Sequence, residues 1–231
     1  MDADVGQRHM DRLRAVIAAG AVETPEESAV SALWAAAGRR DDSLSLDLSN
    51  TAILSLGVAG SRLRASKPSA YPVLRDSLVA ALHQTPATDE RCLFLKAVGN
   101  VHDTALANEV VPYLFDESVP VRVSAAQSLG LMEDRSSLPL LVEVFEDETR
   151  GVVRAEIVST FRVLEPDPAA LRAVHRTILD ERHPECRAQM AAYLAAHLDV
   201  FEEARPTLTF LFANDPTERV RKIASVALPA R

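Results

Sequence analysis

LKAVGNVHDTALANEVVPYLFDESVPVRVSAAQSLGL, residues 95–131, decides the fold. It reads as the end of one helix, a complete helix, an acidic turn and a second helix, with Asp116 six residues ahead of Arg122 and small residues at Ala125 and Ala126. The pattern returns. Asp147 precedes Arg154, Asp180 precedes Arg187 and Asp215 precedes Arg221, each arginine opening an apolar helical run. Together with Arg91, these arginines stand at intervals of 31, 32, 33 and 34 residues, which is the length of one helical hairpin.

Three residues after each arginine stands an apolar or small residue (Phe94, Ala125, Ile157, Met190, Ala224), and seven after it another (Val98, Leu129, Phe161, Leu194, Leu228). Offsets of three and seven share one helical face, so every second helix presents the same stripe for burial. The first helices supply Leu106, Val110 and Leu114, then Leu138, Leu141, Val142 and Phe145, then Leu171, Val174 and Leu179, then Leu208, Leu211 and Phe212. Prolines 112, 139, 168 and 206 fall near their starts, where proline begins or bends a helix. A single hairpin cannot bury such a stripe, but stacked neighbours can. The expected fold is all-α: one α-solenoid of antiparallel helix pairs over 1–231, less regular over 1–87 and regular over 88–231.

Upstream of that regular part, residues 8–19 read as an amphipathic capping helix ending at Gly20, and Thr24-Pro25-Glu26-Glu27 as a capped helix start. A polar turn, Arg39 to Ser45, leads to a helix around Leu46 to Leu63, and Ser69 is expected to cap the next. Glycine is scarce and no bounded alternating run suggests strands.

The net charge of −8 disfavours nucleic-acid phosphates and anionic membranes as partners. The excess is uneven: residues 1–100 hold 12 acids and 11 bases, residues 101–231 hold 21 acids and 14 bases. The basic clusters, Arg39, Arg40, Arg62, Arg64 and Lys67, have no interleaved aromatic residues and read as a solvated face. Cys92 and Cys186 fall in different repeats, too far apart in a neighbour-only stack for a disulfide. The amino-terminal apolar run is too short for a secretory signal and no stretch approaches a membrane span, so a cytoplasmic location is expected.

The hairpins, Asp then Val-Arg then an Ala-rich helix, resemble HEAT repeats of the armadillo type. With AILSLGVAGSRL (52–63), Leu95 to Asn100 and HPECRAQMAAYLA (183–195), they also look like the helical, lipovitellin-like domain of large lipid transfer proteins, the vitellogenin and microsomal triglyceride transfer protein group. That resemblance implies a helical arc that braces other elements, offers a surface to subunits and belongs to a lipid-handling machine.

Two readings compete for the Asp and Arg series. In the structural one, Asp116, Asp147, Asp180 and Asp215 cap the second helices while Arg122, Arg154, Arg187 and Arg221 pair with turn acids in a ladder. In the other, the arginine row binds an anion or acidic peptide. His183 and Cys186, with His175, Asp180 and Glu181 nearby, have metal-ligand chemistry but straddle a turn without paired spacing, so no metal is expected. His197 and Asp199 have no nucleophile in reach, and no phosphate-cradling glycine loop or Gly-x-Ser-x-Gly occurs. No cofactor and no catalysis are expected.

What remains is the inner surface, lined in HEAT-like arrays by the second helices. Residues two and five after each arginine are the candidates for contact with a protein partner: Leu93 and Lys96, Ser124 and Gln127, Glu156 and Ser159, Gln189 and Ala192, Ile223 and Val226. The leading expectation is a non-catalytic scaffold holding a protein partner along its concave face. A lipid-handling module and a chromophore lyase-type enzyme on the same scaffold are the alternatives.

Overall fold

A computed structural model describes residues 3–39, 42–164 and 166–227. Arg40 of the basic cluster and Leu228 of the apolar stripe lie outside the described residues. Among those described, all regular structure is helical: thirteen α-helices joined by 3₁₀ turns. They fall into two compact units, Met1–Tyr113 and Leu114–Arg231.

The first unit is built on one long helix. α1 (Ala3–Ala21) and α2 (Glu27–Ala37) both pack on α3 (Ser43–Ser66), as do α4 (Tyr71–Gln84) and α5 (Thr88–Asn100). Asp42 and Ser45 form a reciprocal capping box that starts α3. Ala52, Ile53, Leu56 and Ala59 are fully buried along α3, and no residue from 51 to 61 is exposed because neighbours surround that stretch. Close approach is made by glycine. A Cβ on Gly20 of α1 would lie 2.7 Å from the Ser55 carbonyl oxygen, and one on Gly57 would run into the backbone of Ala97 on α5. Neither Thr24 nor Ser69 caps: α2 follows Glu26 and α4 follows Ala70, both without a side-chain cap bond. Pro25 is buried, which holds that loop in place by packing.

After α5 the backbone turns through His102, whose φ of 54° lies in the left-handed region, into a first helix that Pro112 breaks. Only α6 (Ala107–Val110) is α-helical there, flanked by 3₁₀ turns at Thr104–Leu106 and Val111–Phe115.

In the second unit the hairpins are regular. α7 (Val119–Met132) is followed by α8 (Leu138–Asp147) and α9 (Gly151–Val163), then α10 (Pro168–Thr177) and α11 (Pro184–Ala196), then α12 (Arg205–Asn214) and α13 (Glu218–Ala224). Pro139, Pro168 and Pro206 sit in the first turns of α8, α10 and α12, as the sequence predicts. The second helices pack in series, α7 on α9, α9 on α11 and α11 on α13, whereas of the first helices α8 and α10 pack closely. The stacking of neighbours is solenoid-like. Phe145, Phe161 and Tyr193 run through its core with ring centroids 6.0 and 6.1 Å apart, and Val153, Ile157, Met190 and Leu194 are fully buried beside them. Thr160 Oγ1 on α9 donates to the Ala126 carbonyl of α7 at 2.9 Å, fixing the register of that pair.

Candidate functional site

The arginine series pairs across repeats. Arg122 Nε donates to Glu148 at 2.7 Å, Arg154 Nε to Glu181 at 2.6 Å and Arg187 Nε to Asp215 at 2.8 Å, so each arginine reaches the turn acid of the next hairpin. Its Nη1 meanwhile donates to a carbonyl six residues back in its own turn: Asp116, Glu148 and Glu181, with Arg221 doing the same to Asp215. One guanidinium thus ties two turns together. Side-chain exposure of 6, 1 and 2% for Glu148, Glu181 and Asp215 makes these buried pairs, in which a lost partner is costly.

The ladder acids are therefore Asp116, Glu148, Glu181 and Asp215. This corrects the series read from sequence: Asp147 and Asp180 are exposed and stand one residue short of the position that receives the arginine. The constant is an offset of six, filled by Asp or Glu. Nor do these acids cap the second helices through their third turn residue; each accepts from the backbone N–H two residues on, at Ser118, Arg150, His183 and Thr217. Aspartate caps belong instead to the first helices. Asp103, Asp134 and Asp167 accept from the N–H groups of Ala105, of Ser136 and Ser137, and of Ala169 and Ala170.

Burial alone would raise the carboxyl pKa values, but the bonds made to the charged form outweigh it. Glu148 is held below the usual range by Arg122 and the Arg150 N–H, Glu181 by the His183 N–H and Arg154, and Asp215 by Arg187 and the Thr217 N–H. The row is consequently charge-satisfied from Arg122 to Arg187 and offers no open anion site there.

His183, Cys186 and His197 are each engaged structurally. His183 caps α11, its Nδ1 accepting from the Cys186 N–H at 3.3 Å. Cys186 is a buried free thiol whose pKa is pushed up by burial and by Glu181, the reverse of a reactive cysteine, and Cys92 is free as well. Among the described residues no three His, Cys, Asp or Glu side chains gather where a metal could sit. His197 packs edge-on against Tyr193, with centroids 5.0 Å apart, and makes no bond to Asp199. The Tyr193 hydroxyl is buried without a protein partner, and burial pushes its pKa up to about 12. No described helix is long and apolar enough to cross a membrane.

The outward face of the second helices is the surface that remains. Gln127, Glu156, Ser159, Gln189 and Ala192 are half-buried there, as is Lys96 on α5 in the first unit. Ser124 is not available: at 3% exposure it lies between helices, although the same offset of two leaves Glu156 on α9 and Gln189 on α11 half-exposed. Three residues missed in sequence, Arg162, Glu185 and Arg219, complete the face. Arg162 donates to Gln189 at 3.0 Å, Gln189 donates to Glu185, and Arg219 pairs with Glu185, a polar line crossing α9, α11 and α13. Exposed Val152, Val163 and Val226 flank it. Arg219 and Glu185 each stand two before their arginine, a periodicity that could have flagged them.

Stacked hairpins of this kind define an all-helical repeat module. Residues 75–162 match the family model for HEAT repeats. In fold the chain is similar to the complex of CpcE and CpcF of phycocyanin lyase from Nostoc sp. PCC7120, with 16% identity, a TM-score of 0.51, and coverage of 98% of this chain and 90% of that one. Comparison with curated proteins gives no match. The likeness to large lipid transfer proteins expected from the sequence finds no support in these comparisons, and the HEAT-repeat match over residues 75–162 stands without it.

Proposed function

We propose that the chain is a protein-binding HEAT-type subunit that holds a second polypeptide on the outward face of α7, α9, α11 and α13. The observation that carries this reading is the cross-tied line Arg162–Gln189–Glu185–Arg219 flanked by exposed valines: polar side chains already immobilised by one another bind with little further loss of rotamer freedom. The structurally similar phycocyanin lyase is a complex of two chains, which supports a proteinaceous partner. Affinity purification from the native cell, with Gln127→Ala, Glu156→Lys and Gln189→Ala combined in one variant, tests it. The partner co-purifying with wild type is lost from the variant while the melting temperature holds; a partner retained in full removes the site.

A second reading is favoured by the match in fold and size to the lyase: that the subunit serves a chromophore lyase-type reaction. Mixing the chain and its co-purified partner with an apo-chromoprotein and free chromophore, and following visible absorbance of the denatured product, tests it. A covalently coloured product supports the reading, and absence of one with the partner bound leaves binding as the function.

A further inference from the structure

α2 and α4 both pack on α3, and a crevice of about 480 Å³ is left where the first turns of α2, the end of α3 and the first half of α4 meet. That volume lies within the range of small-molecule sites. Its floor is Leu63 and Leu74, its rim is Val73, and one wall is Trp34. Trp34, the single tryptophan of the chain, stacks on Phe94 with centroids 6.3 Å apart and an interplanar angle of 24°. Ring–ring packing fixes the indole while leaving it half-exposed. Val73 is 73% exposed, the most exposed large apolar residue described, and nothing in the unit covers it. Lys67 reaches the same crevice from the end of α3 and has no carboxylate partner; Glu27 is the one acid facing it. Arg62 and Arg64 stand on the last turns of α3, and Arg64 is held by the His102 carbonyl at 2.7 Å.

We propose that this crevice binds a small, flat, largely apolar molecule bearing one anionic group, its ring system against Trp34 and its charge toward Lys67. Trp34 supplies a rigid aromatic wall, Leu63, Val73 and Leu74 supply apolar contact, and Lys67 sets the orientation. The site lies wholly within the first unit and does not rest on the protein-binding face proposed above.

The probe is anilinonaphthalene sulfonate, compared with phenylnaphthylamine, which lacks the sulfonate. Wild-type protein shows saturable quenching of Trp34 fluorescence by both at one-to-one stoichiometry. Lys67→Gln weakens the sulfonate by about three- to fivefold and leaves the neutral probe unchanged. Val73→Glu, at an exposed position where folding is undisturbed, weakens both by about tenfold or more. Quenching that never saturates, or that Val73→Glu leaves unaltered, overturns the proposal. So does a crevice that binds neither probe while Val73→Glu releases a co-purifying protein, which would make it a docking groove for a polypeptide.

Discussion

The two units solve the same packing problem by different means. In Leu114–Arg231 each repeat is locked to the next by a guanidinium that spans two turns, whereas in Met1–Tyr113 the helices gather on α3 and approach through glycines. Thr85 shows where the devices change over. It occupies the place six before Arg91 that Asp or Glu holds in the second unit; its carbonyl accepts from Arg91 Nη2 at 3.2 Å as the others do, but a threonine has no carboxylate to answer an arginine of the hairpin before. A directional polar clamp repeats because it is local to each turn. Close backbone approach depends on where two helices happen to cross, so it need not recur at a fixed interval.

The sharpest way to break this contrast is Arg187→Ala, which leaves Asp215 buried beside an apolar gap. We expect a loss of about 3–5 kcal/mol in urea unfolding, with Arg187→Lys recovering only part because an ammonium cannot span Asp215 and the Glu181 carbonyl as a planar fork does. If Arg187→Ala costs under about 1 kcal/mol, the ladder is ornamental and packing alone holds the second unit.

Gly57→Ala is the matching test of the first unit. Its methyl group would overlap the Ala97 backbone, which cannot rotate away, so a loss of about 1–3 kcal/mol is expected. Gly130→Ala in the second unit meets Thr160 Oγ1 at 3.1 Å, a contact relieved by a few tenths of an ångström at some cost to the bond with Ala126, while Ala favours the helix by about 1 kcal/mol; its loss should be well below that at Gly57. Equal losses at the two glycines would erase the distinction drawn between the units.

Acidification is the mildest probe. Glu148, Glu181 and Asp215 have lower pKa values folded than unfolded, so their contribution is fully present above the ordinary values of 4.5 for Glu and 3.8 for Asp. It is lost as pH falls through the depressed folded values. Thermal melts from pH 7 down to pH 3 should show the second unit weakening below that point, and the dependence should shrink in Arg187→Ala. A melting temperature that is flat through this range would contradict the assignment of these three acids.

Much of this was legible in the chain. The intervals between Arg91, Arg122, Arg154, Arg187 and Arg221, and the apolar residues three and seven beyond them, specify hairpins that must stack. The ladder was legible too, though the acids were sought as Asp; the offset of six, which admits Glu148 and Glu181, is the physical constraint because it places both a carbonyl and a carboxylate at the turn. Ser124 could not be placed from spacing alone. A residue on the shoulder of a stripe is buried or open according to how near the neighbouring helix lies, and that distance is set by side chains from another repeat.

Sequence by itself determined the helical class, the repeat length, the buried stripe and the arginines of the ladder, all of which follow from periodicities along one chain. Only the tertiary structure decided which acid answers each arginine, that Arg162, Gln189, Glu185 and Arg219 form one line, and that α2 and α4 leave a gap beside Trp34. The reason is geometric. Spacing fixes which face of a helix a residue occupies, but the separation and crossing of two helices depend on every side chain packed between them.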